Sequence, residues 1–378
     1  MEFSHTDEQA AFREEVTAFV ENEVRPIAAT LDREEAYPAT LLASMAERGW
    51  TGLTIPESHG GLGRSVVDLT ILIEELSKAL MPLASTVALH LGVAAEIETL
   101  GGANLRKEYL ASLASFDTVA ALGLTEAQAG TDTMNMQTTA ERDGSDWILS
   151  GEKQWVTNYL DADLLLLYAK TGPEAISAFL VPAEEVTRET IWDTIGAKSV
   201  KSVSISFDQL RVPDSHQLGP VGRAYERRGE AGIGINLPAR AVGIAQAALD
   251  ETIDALLANN RLDKELSSTV APAQALRHEL ADRTTALKSS RLLTLQTARR
   301  IAQNEVVPGE TSMVKVHVTE ACLDIVEACL RLQGMAGFSG SREIERYVRD
   351  ARLLLIAGGP NDNHRNTVAD SILESTSS

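Results

Sequence analysis

A chain of 378 residues is long enough for two or three domains with a well-buried core. Its formal net charge of −20 repels nucleic acid and anionic lipid, so neither is an expected partner. The polar, acidic N-terminus is unlike a signal peptide, and no apolar run approaches the roughly 18 residues of a membrane span. The only cysteines, Cys322 and Cys329, are spaced as buried thiols on one helix face. We therefore expect a soluble, cytoplasmic protein.

Residues 1–118 carry the periodicity of helices. Thr6 or Asp7 is placed to cap a first helix, and apolar stripes recur as far as Leu113. The segment 56–63 reads PESHGGLG, a composition that predicts a loop between two helices. We predict an N-terminal helical domain over 1–118.

The middle section, 119–225, changes to short apolar segments rich in β-branched residues. Turn signals such as Asp143-Gly144 and Ser150-Gly151 separate these segments. The pattern predicts a central antiparallel β domain over 119–225. Its predicted strands are Leu149–Thr157, Asp163–Ala169, Ile176–Val181 and Val203–Phe207.

Helical periodicity returns in 226–378, the predicted C-terminal helical domain. The segment Ser312–Leu332 is apolar around much of its girth, which predicts burial between helices or at a subunit interface. The overall prediction is an α+β chain in the order helices, strands, helices. Other predicted helices cover Ala273–Gln303 and Arg342–Ile356, with one short helix after Arg365.

Two segments of the β section carry polar side chains in an ordered pattern. The first, 124–132, reads LTEAQAGTD, and the second, 151–158, reads GEKQWVTN about twenty residues later. Taken singly, the first is typical of a Gly-containing turn and the second of a strand with a core tryptophan. The GxG segments at 61–63 and 232–234 do not lie between a strand and a helix, so neither predicts a dinucleotide site.

Together these segments resemble the acyl-CoA dehydrogenase family. Further matches are the 56–63 loop, FDQLRVP at 207–213 and RYVRDAR at 346–352, so five weak motifs occur in the family's order along nearly the whole chain. The resemblance implies an N-terminal helical domain, a central antiparallel β domain and a C-terminal four-helix bundle. It also implies a dimer or a dimer of dimers.

The resemblance further implies FAD as cofactor. By match, Thr125 would bond the pyrimidine end of the flavin, Trp155 would pack on the ring and Thr157 would lie near N5. Thr131 would lie by the flavin or the pantetheine arm. The family's reaction takes an α-proton and a β-hydride from an acyl thioester, carried by CoA or an acyl carrier, and passes the electrons to an electron-transfer flavoprotein or similar acceptor.

This sequence departs from the family at the catalytic base. Gly358 occupies the place of the usual glutamate; its backbone N–H can donate to a thioester carbonyl, but it cannot take a proton. Ile233 occupies the alternative base position that some members use. Glu230, one turn earlier, is the leading candidate for a relocated base, and the simpler interpretation is an acid at a helix start, favoured by the dipole.

The half of the site that would hold the adenine nucleotide also departs from the family. The family's Arg-x-x-Phe-Gly is matched by residues 263–267, unless Arg261 substitutes. Arg331 stands where the family has glutamine, and Pro360 stands where it has a threonine. Asp362 adds a negative charge that would repel a pyrophosphate unless it is paired.

Four hypotheses about function follow. The first is an active flavin-dependent acyl-thioester dehydrogenase with a relocated base. The second is a catalytically incomplete partner subunit of a heteromeric dehydrogenase. The third is a flavin monooxygenase of the same fold, which needs no α-proton base, and the fourth is a cofactor-free binding or lyase-like protein.

Overall fold

The computed structural model describes residues 5–130, 132–224, 233–259, 273–305 and 308–377. Over these ranges the chain forms helices, then a sheet, then helices, as the sequence predicts. Apolar residues of both helical sections and of one sheet face form a single core. A second apolar cluster lies on the opposite face of the sheet.

The N-terminal section consists of packed helices that begin with a capped turn. The Thr6 hydroxyl accepts a hydrogen bond from the Gln9 backbone N–H, and the Gln9 side chain accepts one from Thr6 N–H, a capping box. A π-helical turn, Val20–Val24, joins the first two helices. The helices are α1 Asp7–Phe19, α2 Arg25–Glu34, α3 Ala39–Glu47, α4 Val66–Ser77, α5 Met81–Leu100 and α6 Ala103–Ser115.

Helix α5 is the central helix of this section. Contrary to the expectation that no apolar run approaches a membrane span, this helix is long and apolar enough to cross a membrane, yet 78% of its most apolar stretch is buried inside the protein. Within it the His90 ring is fully buried; its Nε2 donates to Leu113 O at 2.9 Å, and its Nδ1 accepts from the Ala120 backbone N–H at 3.3 Å. His90 therefore ties α5 to the end of α6 and to the first strand.

The sheet contains eight strands within the described residues. Pairing is mostly antiparallel, as predicted, with two parallel exceptions: β1 pairs with β4, and β2 meets β4 at Thr139 and Lys170. Parallel strands need a long connection between them, and the chain between β1 and β4 and between β2 and β4 provides one. The strands are β1 Ala120–Gly123, β2 Thr139–Asp143, β3 Asp146–Thr157, β4 Leu164–Gly172, β5 Ala175–Pro182, β6 Thr187–Ile191, β7 Ser202–Pro213 and β8 Gln217–Leu218.

Strand β4 shows why the sheet is central. Its residues alternate between the two apolar clusters, with Leu164 and Leu166 on the face of the main core and Leu165 and Leu167 on the other. Such two-sided burial explains the continuous apolar run in the sequence.

The C-terminal section is a bundle of long helices. The last helix begins before Arg365 and is 17 residues long, so the prediction of a short helix after Arg365 is wrong. Asn361 is buried in the first turn of this helix. It bonds the side chains of Thr319 and Lys315, which fixes where the helix begins. The segment predicted as Ser312–Leu332 is buried between bundle helices. The helices are α7 Asn236–Ala258, α8 Ala273–Ala302, α9 Pro308–Gln333, α10 Ile344–Leu353 and α11 Asn361–Ser377.

The His90 environment predicts a pH dependence of folding. Burial lowers the pKa of His90 to about 4, below its value in the unfolded chain. The unfolded state then binds more protons below pH 6.5, so stability is lost as the pH falls from 6.5 toward 4. Between pH 7 and pH 5 we expect His90 to account for a loss of about 2 kcal/mol in the free energy of unfolding.

Urea unfolding of the wild type and of His90→Gln at both pH values measures this effect. The variant, which does not titrate, should show the smaller pH dependence. Equal pH dependence in the two proteins would show that His90 is not the group responsible.

Candidate functional site

The two motif segments of the β section lie against each other. The Gln154 backbone N–H donates to the Thr125 carbonyl at 2.8 Å, although the residues are far apart in sequence. Gln154 belongs to β3 and Thr125 to the loop after β1. The two motifs that resemble the family's flavin-binding segments are therefore direct neighbours in the fold.

A buried ion pair fastens this junction. Lys153 Nζ lies 2.6 Å from Glu126 Oε1, and the Lys153 side chain is 0% exposed. The same carboxylate accepts from the Thr138 hydroxyl at 2.5 Å and from the Gln137 backbone N–H at 2.6 Å. Burial lowers the pKa of Lys153 to about 8. Burial by itself would raise the pKa of Glu126, but the charge of Lys153 outweighs this effect and lowers that pKa. Both groups are charged at neutral pH, and sequence reasoning missed the pair.

Trp155 is held outward from the sheet by a β-bulge. The β3–β7 register shifts between Lys153 and Val156, and Trp155 has a left-handed φ of +60°, a conformation that costs a non-glycine residue energy. Its indole is 48% exposed and stacks on Trp192, with ring centroids 4.7 Å apart and an interplanar angle of 23°. The Trp192 partner was not foreseen, because it lies beyond both motifs in the sequence.

The hydroxyls expected near the flavin have different environments. Thr157 Oγ1 lies 3.1 Å from Ser202 Oγ across the β3–β7 pair. Thr125 is half-buried in the loop after β1. Thr131 lies outside the described residues.

Gly358, which the resemblance matches to the family's glutamate, has a backbone suited to glycine. Gly358 has a left-handed φ of +65°, and a Cβ added there would lie 2.7 Å from Leu237 Cδ1. A side chain at 358 would therefore be strained and would have to displace Leu237. The Gly358 carbonyl accepts from His364 Nε2 at 3.0 Å, which holds this turn against the first turn of α11. Glu230, the candidate base, lies outside the described residues.

On the nucleotide side, Asp362 is paired. Its carboxylate lies 3.2 Å from Arg365 Nη1, which offsets the charge that we expected to repel a pyrophosphate. The Arg331 side chain is 63% exposed, with its nearest carboxylate, Glu279, at 3.9 Å. Arg261 and the segment 263–267 lie outside the described residues.

The two thiols are both free and buried, as predicted. Burial raises the pKa of Cys329 to about 11 and that of Cys322 still further, so neither is a reactive thiolate. Within the ranges that the structure describes, no group of three or more His, Cys, Asp or Glu side chains is arranged to hold a metal ion.

Sequence models for the acyl-CoA dehydrogenase N-terminal, middle and C-terminal domains match residues 6–117, 121–210 and 235–373. The mitochondrial short-chain specific acyl-CoA dehydrogenase of Bos taurus is 31% identical over 370 residues, covering 94% of this chain and 88% of that protein. The chain belongs to the acyl-CoA dehydrogenase family. Its fold and its class, an oxidoreductase acting on CH–CH bonds of acyl thioesters, are therefore as predicted, and the family's cofactor is FAD.

Two further acyl-CoA dehydrogenase family relatives match over nearly the whole length. The benzylmalonyl-CoA dehydrogenase of Aromatoleum aromaticum is 29% identical, covering 98% of this chain and 100% of its own. A solved complex of glutaryl-CoA dehydrogenase with glutaryl-CoA superimposes with a TM-score of 0.92 at 26% identity, covering 99% of this chain and 97% of that one.

The Glu126–Lys153 pair predicts a large asymmetry between breaking it and replacing it. Lys153→Met leaves Glu126 buried without its charge partner, which should cost about 3–5 kcal/mol of unfolding free energy. Exchanging both partners for apolar residues (Glu126→Leu with Lys153→Met) should cost less than Lys153→Met alone. Urea unfolding followed by tryptophan fluorescence measures both.

The matched control is Arg211→Met, which breaks an exposed pair at 3.0 Å from Asp146 on the same sheet. We expect this control to cost less than about 1 kcal/mol. A Lys153→Met protein as stable as the control would contradict the role given to the buried pair.

Proposed function

We propose that this chain is an FAD-dependent dehydrogenase that forms the α,β double bond of an acyl thioester, with Glu230 as the base. One observation carries the proposal. Gly358, at the family's glutamate position, lies against Leu237 at the start of α7. Glu230 precedes Leu237 by only seven residues in the sequence, which supports it as the acid that replaces the missing glutamate.

The β section fits the ring half of FAD. The half-exposed Trp155 offers an indole face for a planar ring, and the bulge that turns it outward is the kind of strained feature found at functional sites. The Thr157 and Ser202 hydroxyls lie two residues farther along this edge of the sheet. When bound, FAD supplies hydride acceptance from the β-carbon.

The chain's own residues have separate tasks. The Glu230 carboxylate removes the α-proton, and the backbone N–H of Gly358 donates to the thioester carbonyl, where negative charge develops. Trp155 and Trp192 exclude water from one side of the site. Thr125 and Thr131 hold the remaining polar edges of the cofactor, and the thioester is carried by CoA or by an acyl carrier protein.

We infer that the chain forms an oligomer and that an electron-transfer flavoprotein or similar protein accepts its electrons. Exposed apolar side chains support contacts of this kind. Met335 and Phe338 are 83% and 76% exposed on the loop after α9, and Ile356 beside Gly358 is 63% exposed. Exposed side chains of this size and polarity favour contact with another protein. A second subunit, identical or not, would also complete the nucleotide half of the site, where the Arg331 side chain is 63% exposed.

The second candidate is a partner subunit of a heteromeric dehydrogenase. It is favoured by the left-handed backbone at Gly358, which suits a position that no longer carries a side chain. In that case a second, glutamate-bearing homologue performs the catalysis and copurifies with this chain.

Trp155→Ala tests the flavin site. Removing the indole should lower the FAD retained on purification several-fold, because the ring loses its packing surface, and absorbance near 450 nm measures this. The control Trp192→Phe keeps an aromatic neighbour and should retain the flavin. Full retention in Trp155→Ala would contradict the assignment, and a colourless wild type would favour the cofactor-free hypothesis.

Glu230→Gln tests the base. A lost general base should slow anaerobic flavin reduction by an acyl-CoA by about 10²–10⁴-fold. The control is Glu226→Gln, an acid from the same stretch of sequence, which should leave the rate nearly unchanged. An unchanged single-turnover rate in Glu230→Gln would reject this base. NAD(P)H-driven oxygen uptake with a reductase would instead favour the monooxygenase.

A further inference from the structure

Arg240 is a buried cation on α7 that lacks a carboxylate partner among the described residues. Its side chain is 6% exposed. Nη1 donates to the Ser85 hydroxyl at 2.7 Å and Nη2 donates to the Asn236 side-chain oxygen, so both partners are neutral. Nε is buried with no hydrogen-bond partner. A buried guanidinium is ordinarily paired with an acid, because burying an isolated charge is costly.

Two more buried polar atoms without partners surround the same part of α5. Thr86, next to Ser85, has an unbonded hydroxyl oxygen, and Asn158 has an unbonded side-chain oxygen. Asn158 Nδ2 donates to the Thr86 carbonyl at 3.1 Å, so the end of β3 touches α5 here. Buried polar atoms are nearly always bonded, and a cluster that is not bonded points to a polar ligand.

The cluster adjoins the reaction site. Leu237, which faces Gly358, lies three residues before Arg240 on α7, so the two side chains share one helix face. On the other side, Asn158 follows Thr157 of the flavin motif. A substrate whose reacting carbons lie between these motifs therefore extends its acyl group toward Arg240.

We propose that Arg240, positioned by Ser85 and Asn236, binds a carboxylate at the far end of the acyl group. The substrate class is then the monothioester of a short dicarboxylic acid, and this inference rests on the proposed function. The Nε and Nη edge of a guanidinium matches a carboxylate in two parallel hydrogen bonds. An alkyl chain end would instead meet an uncompensated charge.

The charge state of Arg240 agrees with this role. Burial lowers the pKa of Arg240 to about 10, which leaves it protonated at neutral pH. The overall charge of −20 repels a substrate with an extra carboxylate, and the local charge of Arg240 attracts it.

Binding of two CoA thioethers of equal carbon number tests the proposal: S-(4-carboxybutyl)-CoA and S-pentyl-CoA. Thioethers cannot be dehydrogenated, so calorimetric titration of the purified holoprotein reports binding alone. We expect the wild type to prefer the carboxylate by about 100-fold. Arg240→Gln should abolish this preference. The control Arg291→Gln should keep the preference for the carboxylate. Arg291 lies on α8, and its Nε is 2.9 Å from a Glu74 carboxylate oxygen.

A wild type that binds the pentyl compound as tightly as the carboxylate overturns the proposal, even if Arg240→Gln does not fold. The carboxamide of the same ligand should lose most of the preference, since it lacks the charge. Failure of the proposed function has a different signature. Glu230→Gln or an absent dehydrogenase activity would leave the thioether preference unchanged.

Discussion

The candidate site depends on one buried ion pair, Glu126 with Lys153. The two groups come from the loop after β1 and from β3, and the carboxylate is also bonded by Thr138 and by backbone N–H groups. Each charge is almost fully withdrawn from water. If one segment moved away, the charge on the other would stay buried without a partner, which is costly. The bulge that presents Trp155 begins at Lys153, so the pair also fixes where that indole stands.

Under the proposed function, the chain keeps the flavin-ring half of the family's site and alters the half that holds the base. The outward indole and the Thr157–Ser202 contact belong to β3 and β7, which also carry buried residues of the sheet. The position matched to the family's glutamate, by contrast, lies in a turn between α10 and α11, where the left-handed backbone favours glycine. This turn lies outside the sheet, so the residue it carries does not alter the packing of β3.

The sequence predicted the fold well where local patterns dominate. Strands β3, β4, β5 and β7 were foreseen because apolar residues and turn signals bound them, and Thr6 caps α1 as its motif indicated. The short strands β1, β2 and β6 were missed, since β1 is a four-residue apolar run and β2 and β6 are mostly exposed and polar. The parallel pairing of β1 with β4 is a long-range contact that no local pattern contains.

The site was predictable only in part, for the same reason. Motif order pointed to Trp155, Thr157 and Thr125, but Trp192 and Arg240 act through partners distant in sequence. A buried arginine also looks like any other arginine until its neighbours are known. Glu230 and Thr131 remain predictions, because both lie outside the described residues.

The backbone at Gly358 also bears on protein engineering at this turn. A glutamate introduced there would meet both an unfavourable dihedral angle and the methyl group of Leu237. The methyl group is the flexible end of a side chain, so the dihedral angle is the larger obstacle. A designed variant that carries an acid at 358 therefore needs a remodelled turn as well as a new side chain.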